Sequence, residues 1–137
     1  MTEITDIKSF IANELGIHQD VISSDTDIYD TFGTEGDDCF DFEAKYAERF
    51  DVNMDNFRWY FHHGEEGWNI GALIFKPPHG RVDRIPITPA LLQTYAKLKS
   101  WQLSYPKHTL PKRRYDLMIT RLLVILVIAG SCVATWE

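Results

Sequence analysis

Cysteine is nearly absent from this chain of 137 residues: Cys39 and Cys132 are too few for a disulfide framework and fit a reducing compartment. Serine is missing from the whole stretch between Ser24 and Ser100, so the middle of the chain lacks a serine hydroxyl for covalent chemistry. Each half is poor in charge of one sign. Residues 1–67 hold 17 acidic and 4 basic side chains, a net charge of −13, while residues 68–137 hold 3 acidic and 10 basic, a net charge of +7. An acidic first half argues against nucleic acid as a partner and for a basic protein surface. The amino terminus has no basic-then-apolar leader pattern, so we expect no signal peptide. Hydrophobic residues at 45% and aromatics at 13% make disorder a poor description. The length suits one domain plus an appendage.

What is present is concentrated between Phe32 and Val52. Gly33 and Gly36 supply turn geometry, and Glu35, Asp37 and Asp38 set three carboxylates at the positive end of the helix that follows, each stabilising by about 0.3–1 kcal/mol. On a helical wheel Asp37, Asp38, Asp41, Lys45, Glu48 and Arg49 share an arc of about 120°, and Cys39, Phe40, Phe42, Ala44, Tyr46, Ala47 and Phe50 fill the rest. One face is wet and acidic, the other apolar. Glu43 falls inside the apolar arc, a carboxylate at the rim of the core.

The segment Val21 to Met54 resembles an acyl carrier protein. Asp25-Thr26-Asp27-Ile28 and Phe32-Gly33 resemble the loop before that family's second helix, and Phe50-Asp51-Val52-Asn53-Met54 resembles the loop after it. Closer still is a small bacterial family of domains of unknown function with an acyl-carrier-like core, in which a Gly-Asp-Asp triplet opens this helix, here Gly36-Asp37-Asp38. The resemblance covers residues 3–103 and implies a helical bundle. Its second helix would dock a basic protein surface through Glu35, Asp37, Asp38, Asp41 and Glu48. Carriers hold a phosphopantetheine arm on the serine of an Asp-Ser-Leu motif, whereas Glu35-Gly36-Asp37 stands at the matching positions. Gly36 has no hydroxyl, Thr34 lies two residues early, and Cys39 three late. The resemblance therefore implies the scaffold without the cofactor. A serine restored at Gly36 is expected to gain little modification, since Asp37 replaces the motif's leucine.

Elsewhere, periodicity predicts a helix over residues 3–15, with Ile4, Ile7, Phe10, Ile11 and Leu15 on one face, Thr2 or Thr5 as its cap, and Gly16-Ile17 as its stop. His18 to Thr31 reads as a long loop anchored by Val21, Ile22, Ile28 and Tyr29. Its Asp25, Asp27 and Asp30 do not fit a calcium-binding loop, because Tyr29 and Asp30 occupy positions that need an oxygen ligand and a glycine. Phe57-Arg58-Trp59-Tyr60-Phe61 forms either a short third helix or an aromatic ligand platform. His62-His63-Gly64-Glu65-Glu66 is expected to be an exposed polar loop, since adjacent histidines diverge and no further ligand follows at zinc-like spacing. Val82, Ile85 and Ile87 alternate imperfectly, which predicts a short hairpin or extended insertion between Trp68 and Ile87. Thr88-Pro89 then opens a helix over residues 89–102 whose Leu91, Leu92, Tyr95, Leu98 and Trp101 face the core.

Pro106 and Pro111 mark a basic linker over residues 104–116. Residues 117–136 are almost wholly apolar, and at 1.5 Å per residue they reach about 30 Å, the thickness of a bilayer's hydrocarbon core. Arg121 would snorkel to the interface. Lys112, Arg113 and Arg114 on one flank place the acidic domain in the cytoplasm, anchored to the inner membrane, with Trp136 at the far interface and Glu137 across. A buried carboxyl-terminal helix is the competing reading. Paired carboxylates cluster on a wet face, away from histidines and phosphate loops, so no catalytic arrangement emerges and no metal or cofactor is expected. The expectation is a mostly α chain: an acyl-carrier-like bundle with a short insertion and a hydrophobic carboxyl-terminal helix. It would be a non-catalytic interaction module, or alternatively a membrane-tethered structural or regulatory protein acting through its tail.

Overall fold

Apolar periodicity and strong end signals divide the described residues into five α-helices. The computed structural model describes residues 1–135, with α1 (Ile4–Leu15), α2 (Ile28–Phe32), α3 (Gly36–Phe50), α4 (Pro89–Leu98) and α5 (Tyr115–Ala134). Short 3-10 turns lie at Gln19–Val21, Trp59–Phe61, Ile70–Leu73 and Pro78–Arg81. The core draws Ile7, Phe10 and Ile11 from α1, Cys39, Phe42, Tyr46 and Phe50 from α3, and Leu92, Tyr95 and Ala96 from α4. Phe10 joins the helices, its ring 5.2 Å from Phe42 and 5.4 Å from Phe50. The Tyr46 hydroxyl, carried inward by α3, donates to the Leu92 carbonyl at 2.7 Å.

The helix ends follow backbone chemistry. Gly16 takes φ +65° and the next N–H, of Ile17, donates to Ala12 O at 3.1 Å, the left-handed stop that glycine allows without steric cost. Thr88 accepts from Leu91 N at 3.2 Å with Pro89 in the first turn, so this start forms as its sequence predicts. The cap of α1 differs from the expected threonines: Glu3 holds the position and its N–H donates to the Asp6 carboxylate at 2.9 Å.

Other expectations are corrected. The stretch from His18 to Thr31 runs into α2, which is capped by Asp27, whose carboxylate receives Asp30 N, and buries Ile28 and Tyr29. The aromatic block forms one 3-10 turn with Phe61 buried, and its rings pack inward. No strand forms among the described residues; 3-10 turns replace the expected hairpin, and an isolated bridge pairs Asn53 with Ser100. Helix α4 stops at Leu98, which is 52% exposed, and Trp101 reaches the core from beyond the helix end. Phe40 and Ala44, placed in the apolar arc of α3, lie outside the buried set.

Helix α5 leaves the domain. It is 20 residues long, its mean hydropathy reaches 2.4, and none of that apolar window is covered, so the buried-helix reading does not hold. Its first turn is nevertheless tightly held. A Cβ on Gly71 would overlap the Asp116 carbonyl, so only glycine permits this approach. Gly71 N donates to the Thr120 hydroxyl at 2.9 Å, and Asn69 Nδ2 to the Asp116 carboxylate at 2.8 Å. Arg114 bridges Asp116 and Glu65, at 2.6 and 2.7 Å. The expected roles of Trp136 and Glu137 lie outside the described residues.

Phe42→Ala should cost about 3–5 kcal/mol through the cavity it leaves, whereas Leu98→Ala should stay within about 0.5 kcal/mol. Denaturant midpoints of the two variants check this; equal midpoints would mean that α3 does not present Phe42 to the core.

Candidate functional site

Where α3 begins, a cleft of about 360 Å³ opens between α2, the first turn of α3 and the segment after Trp59–Phe61; Tyr29, Thr34, Gly36, His63, Glu65, His79 and Arg84 line it. Two of these lining residues, Tyr29 and His63, meet Glu43, the carboxylate that the wheel places among apolar residues. The Tyr29 hydroxyl donates to Glu43 Oε1 at 3.0 Å. His63 Nε2 lies 2.9 Å from the same oxygen, out of line for a hydrogen bond, while His63 Nδ1 donates to the Gly64 carbonyl at 2.8 Å. Burial raises the Glu43 pKa, and the groups of His63 and Tyr29 pull it back down.

The segment His62 to Glu66 is thus an exposed polar loop only in part: Glu65 and Glu66 are exposed as expected, and the histidines are not. His62 and His63 are both buried, and they diverge. His62 Nδ1 donates to the Ile85 carbonyl at 2.9 Å, and its Nε2 receives the Tyr105 hydroxyl at 2.8 Å. Tyr105 in turn accepts from Trp101 Nε1 and Arg58 N, so each polar atom of this network has a partner and the imidazole is held neutral. Burial pulls the His62 pKa down to about 4.

Two potential nucleophiles near the cleft, Cys39 and Tyr29, are suppressed. Cys39 is buried, its thiol donates to the Thr34 carbonyl at 3.3 Å, and burial pushes its pKa up to about 12. Burial also raises the Tyr29 phenol well above its usual range. Arg84 is engaged by Asp27, at 2.8 Å from Nη2 to Oδ1. These groups fix the backbone around the cleft; none is activated for attack.

Glu35, Asp37, Asp38, Asp41 and Glu48 are all exposed, together with Lys45 and Arg49. Asp41 is shared with Lys45 at 2.8 Å, and Lys45 also reaches Glu14 at 2.9 Å. Asp37 and Asp38 enter no ion pair among the described residues. Gly36 behaves differently from its neighbours. It is buried at φ +52°, and a Cβ there would run into the Glu66 side chain. Gly36 is thus roofed by Glu66.

Sequence reasoning missed Tyr29 and His63 as partners of Glu43. The one available signal was a carboxylate on an apolar arc, which demands a buried donor. Comparison with protein-family models, with curated proteins and with solved structures finds no match.

Two outcomes follow. His62 has an ordinary value of 6.5 that falls to about 4 in the fold, so the unfolded chain binds the extra proton between these pH values. Stability is then lost as pH falls through that window, by at most roughly 3 kcal/mol. The raised Glu43 value acts with the opposite sign, so the comparison is with His62→Gln: the gap in unfolding free energy between parent and variant should narrow from pH 6.5 to 4. A constant gap would mean that His62 is not held neutral. Gly36→Ser should be destabilised by about 1–3 kcal/mol through overpacking at a positive φ. Incubated with a phosphopantetheinyl transferase and coenzyme A, neither it nor the parent should gain mass; an added arm on Thr34 or on the new serine would contradict the roof over Gly36.

Proposed function

We propose that this chain is a non-catalytic, acyl-carrier-like interaction module, tethered to a membrane by α5, that meets a basic protein surface through the acidic face of α3. The observation that carries this reading is the exposure of Glu35, Asp37, Asp38, Asp41 and Glu48 on the face of α3 opposite its buried side. Because Asp37 and Asp38 are not spent on internal pairs, their charge remains available to Lys and Arg on a partner. Such complementarity chiefly sets association rate and specificity. The roof over Gly36 supports a module without a prosthetic arm, and the negative charge of Glu35, Asp37 and Asp38 would repel a phosphodiester there.

Helix α5 supports the tether. Its length and mean hydropathy suit a bilayer, and the basic flank of Lys112 and Arg113 favours an acidic domain retained in the cytoplasm, at the inner membrane of a bacterium. A second reading has its own support in the polar clamp around Asp116: α5 is the working part, and the domain caps it and sets its orientation.

Asp37→Lys/Asp38→Lys in the full chain separates these readings better than a change at Asp41, which would also break the pair with Lys45. Capture of partners by the membrane-extracted protein should fall in the double variant. In the parent it should fall with added salt, since exposed charges are screened over about 8 Å at physiological ionic strength. Capture that survives both treatments but disappears when the apolar residues of α5 are replaced would favour the second reading.

A further inference from the structure

We propose that the foot of α5 is a docking surface for anionic phospholipid: a cationic groove for the lipid phosphate, bordered by an apolar wedge that enters the interfacial layer of the bilayer. The inference rests on the reading of α5 as a membrane span. The groove, about 80 Å³, lies between the turn Pro78–Arg81 and the start of α5, lined by Lys76, Arg81, Arg113, Arg114, Phe75 and Tyr115 among others. Arg114 is committed to Glu65 and Asp116. Lys76, Arg81 and Arg113 are exposed and have no carboxylate partner among the described residues. The one lining carboxylate, Asp116, is already occupied by Arg114 and Asn69, so Lys76, Arg81 and Arg113 leave the groove net positive, and a phosphodiester supplies charge and acceptor oxygens together. The Phe75 and Tyr115 rings, 5.5 Å apart, give the groove an apolar side suited to the glycerol and first methylenes of a lipid.

The wedge is a separate observation. Trp68 and Leu73 are each 87% exposed and Ile74 is 69% exposed, an apolar cluster that water does not favour and a membrane interface does. Its position is fixed by Gly71, which abuts the Asp116 carbonyl and donates to Thr120, one helical turn further along α5. The turn Ile70–Leu73 therefore stands level with the first turn of α5, where a spanning helix enters the lipid. Basic side chains beside an interfacial aromatic are the combination that anionic leaflets attract.

The test uses the full chain with Cys132→Ala, leaving only the buried Cys39, reconstituted in vesicles of phosphatidylcholine alone or of equimolar phosphatidylcholine and phosphatidylglycerol. An environment-sensitive fluorophore is placed at Leu73→Cys or, as reference, at Val127→Cys within α5. The Val127 label should be quenched by lipid-borne nitroxide in both vesicles. The Leu73 label should shift to the blue and lose aqueous iodide quenching when phosphatidylglycerol is present, and Lys76→Glu/Arg113→Glu should abolish that difference without altering the Val127 signal. A Leu73 label open to iodide beside an embedded Val127 label overturns the wedge and leaves the span standing. A Val127 label open to iodide overturns the span and the wedge with it. Equal shielding of Leu73 in both lipids overturns the phosphate groove. Shielding without nitroxide quenching, accompanied by energy transfer between labelled copies, assigns the wedge to a second copy of the chain and also overturns the proposal.

Discussion

One buried carboxylate ties the domain's irregular half to its regular half. Glu43 is carried by α3, Tyr29 by α2, and His63 by a segment with little regular structure of its own. A lone carboxylate on the apolar side of a helix would be costly; shared with a phenol and an imidazole it becomes a reason for the 62–67 segment to lie where it does. Breaking such a contact from one side leaves the remaining group buried and unmatched, which is more damaging than never having had it. From this attachment follow the inward turn of His63 and the cleft beside it.

Regular periodicity made part of the fold legible. Ile7, Phe10 and Ile11, then Phe42, Tyr46 and Phe50, recur at helical spacing, and both the buried set and the wet acidic arc of α3 agree with the wheel. The misreadings share a physical cause: long-range contact overrode local composition. Phe40 is drawn toward Trp59 and His63, with ring centroids 5.4 and 4.7 Å away, instead of entering the core. The His-His-Gly-Glu-Glu segment looks wet because its partners, Ile85, Tyr105 and Glu43, are far away in sequence. Gly71 gave no sign that a helix nearly fifty residues downstream would rest on it.

Charge is divided along the chain but joined in space. The carboxylates of α3 stand on the domain, while Lys76, Arg81, Arg113 and Arg121 cluster near the foot of α5 or on its second turn. Glu65 pairs with Arg114, and its neighbour Glu66 lies against Gly36 at the start of α3, so the acidic face begins close to the basic foot.

The glycine at the base of α5 has a mechanical consequence. Carrier domains on loose tethers sweep a volume and find partners by diffusion within it. Here the Gly71 approach, the Asn69 bond to Asp116, the Arg114 pair with Glu65 and the Thr120 hydroxyl couple the domain directly to the start of the shaft. Head and shaft therefore turn together, and a tilt of the shaft becomes a displacement of the acidic face.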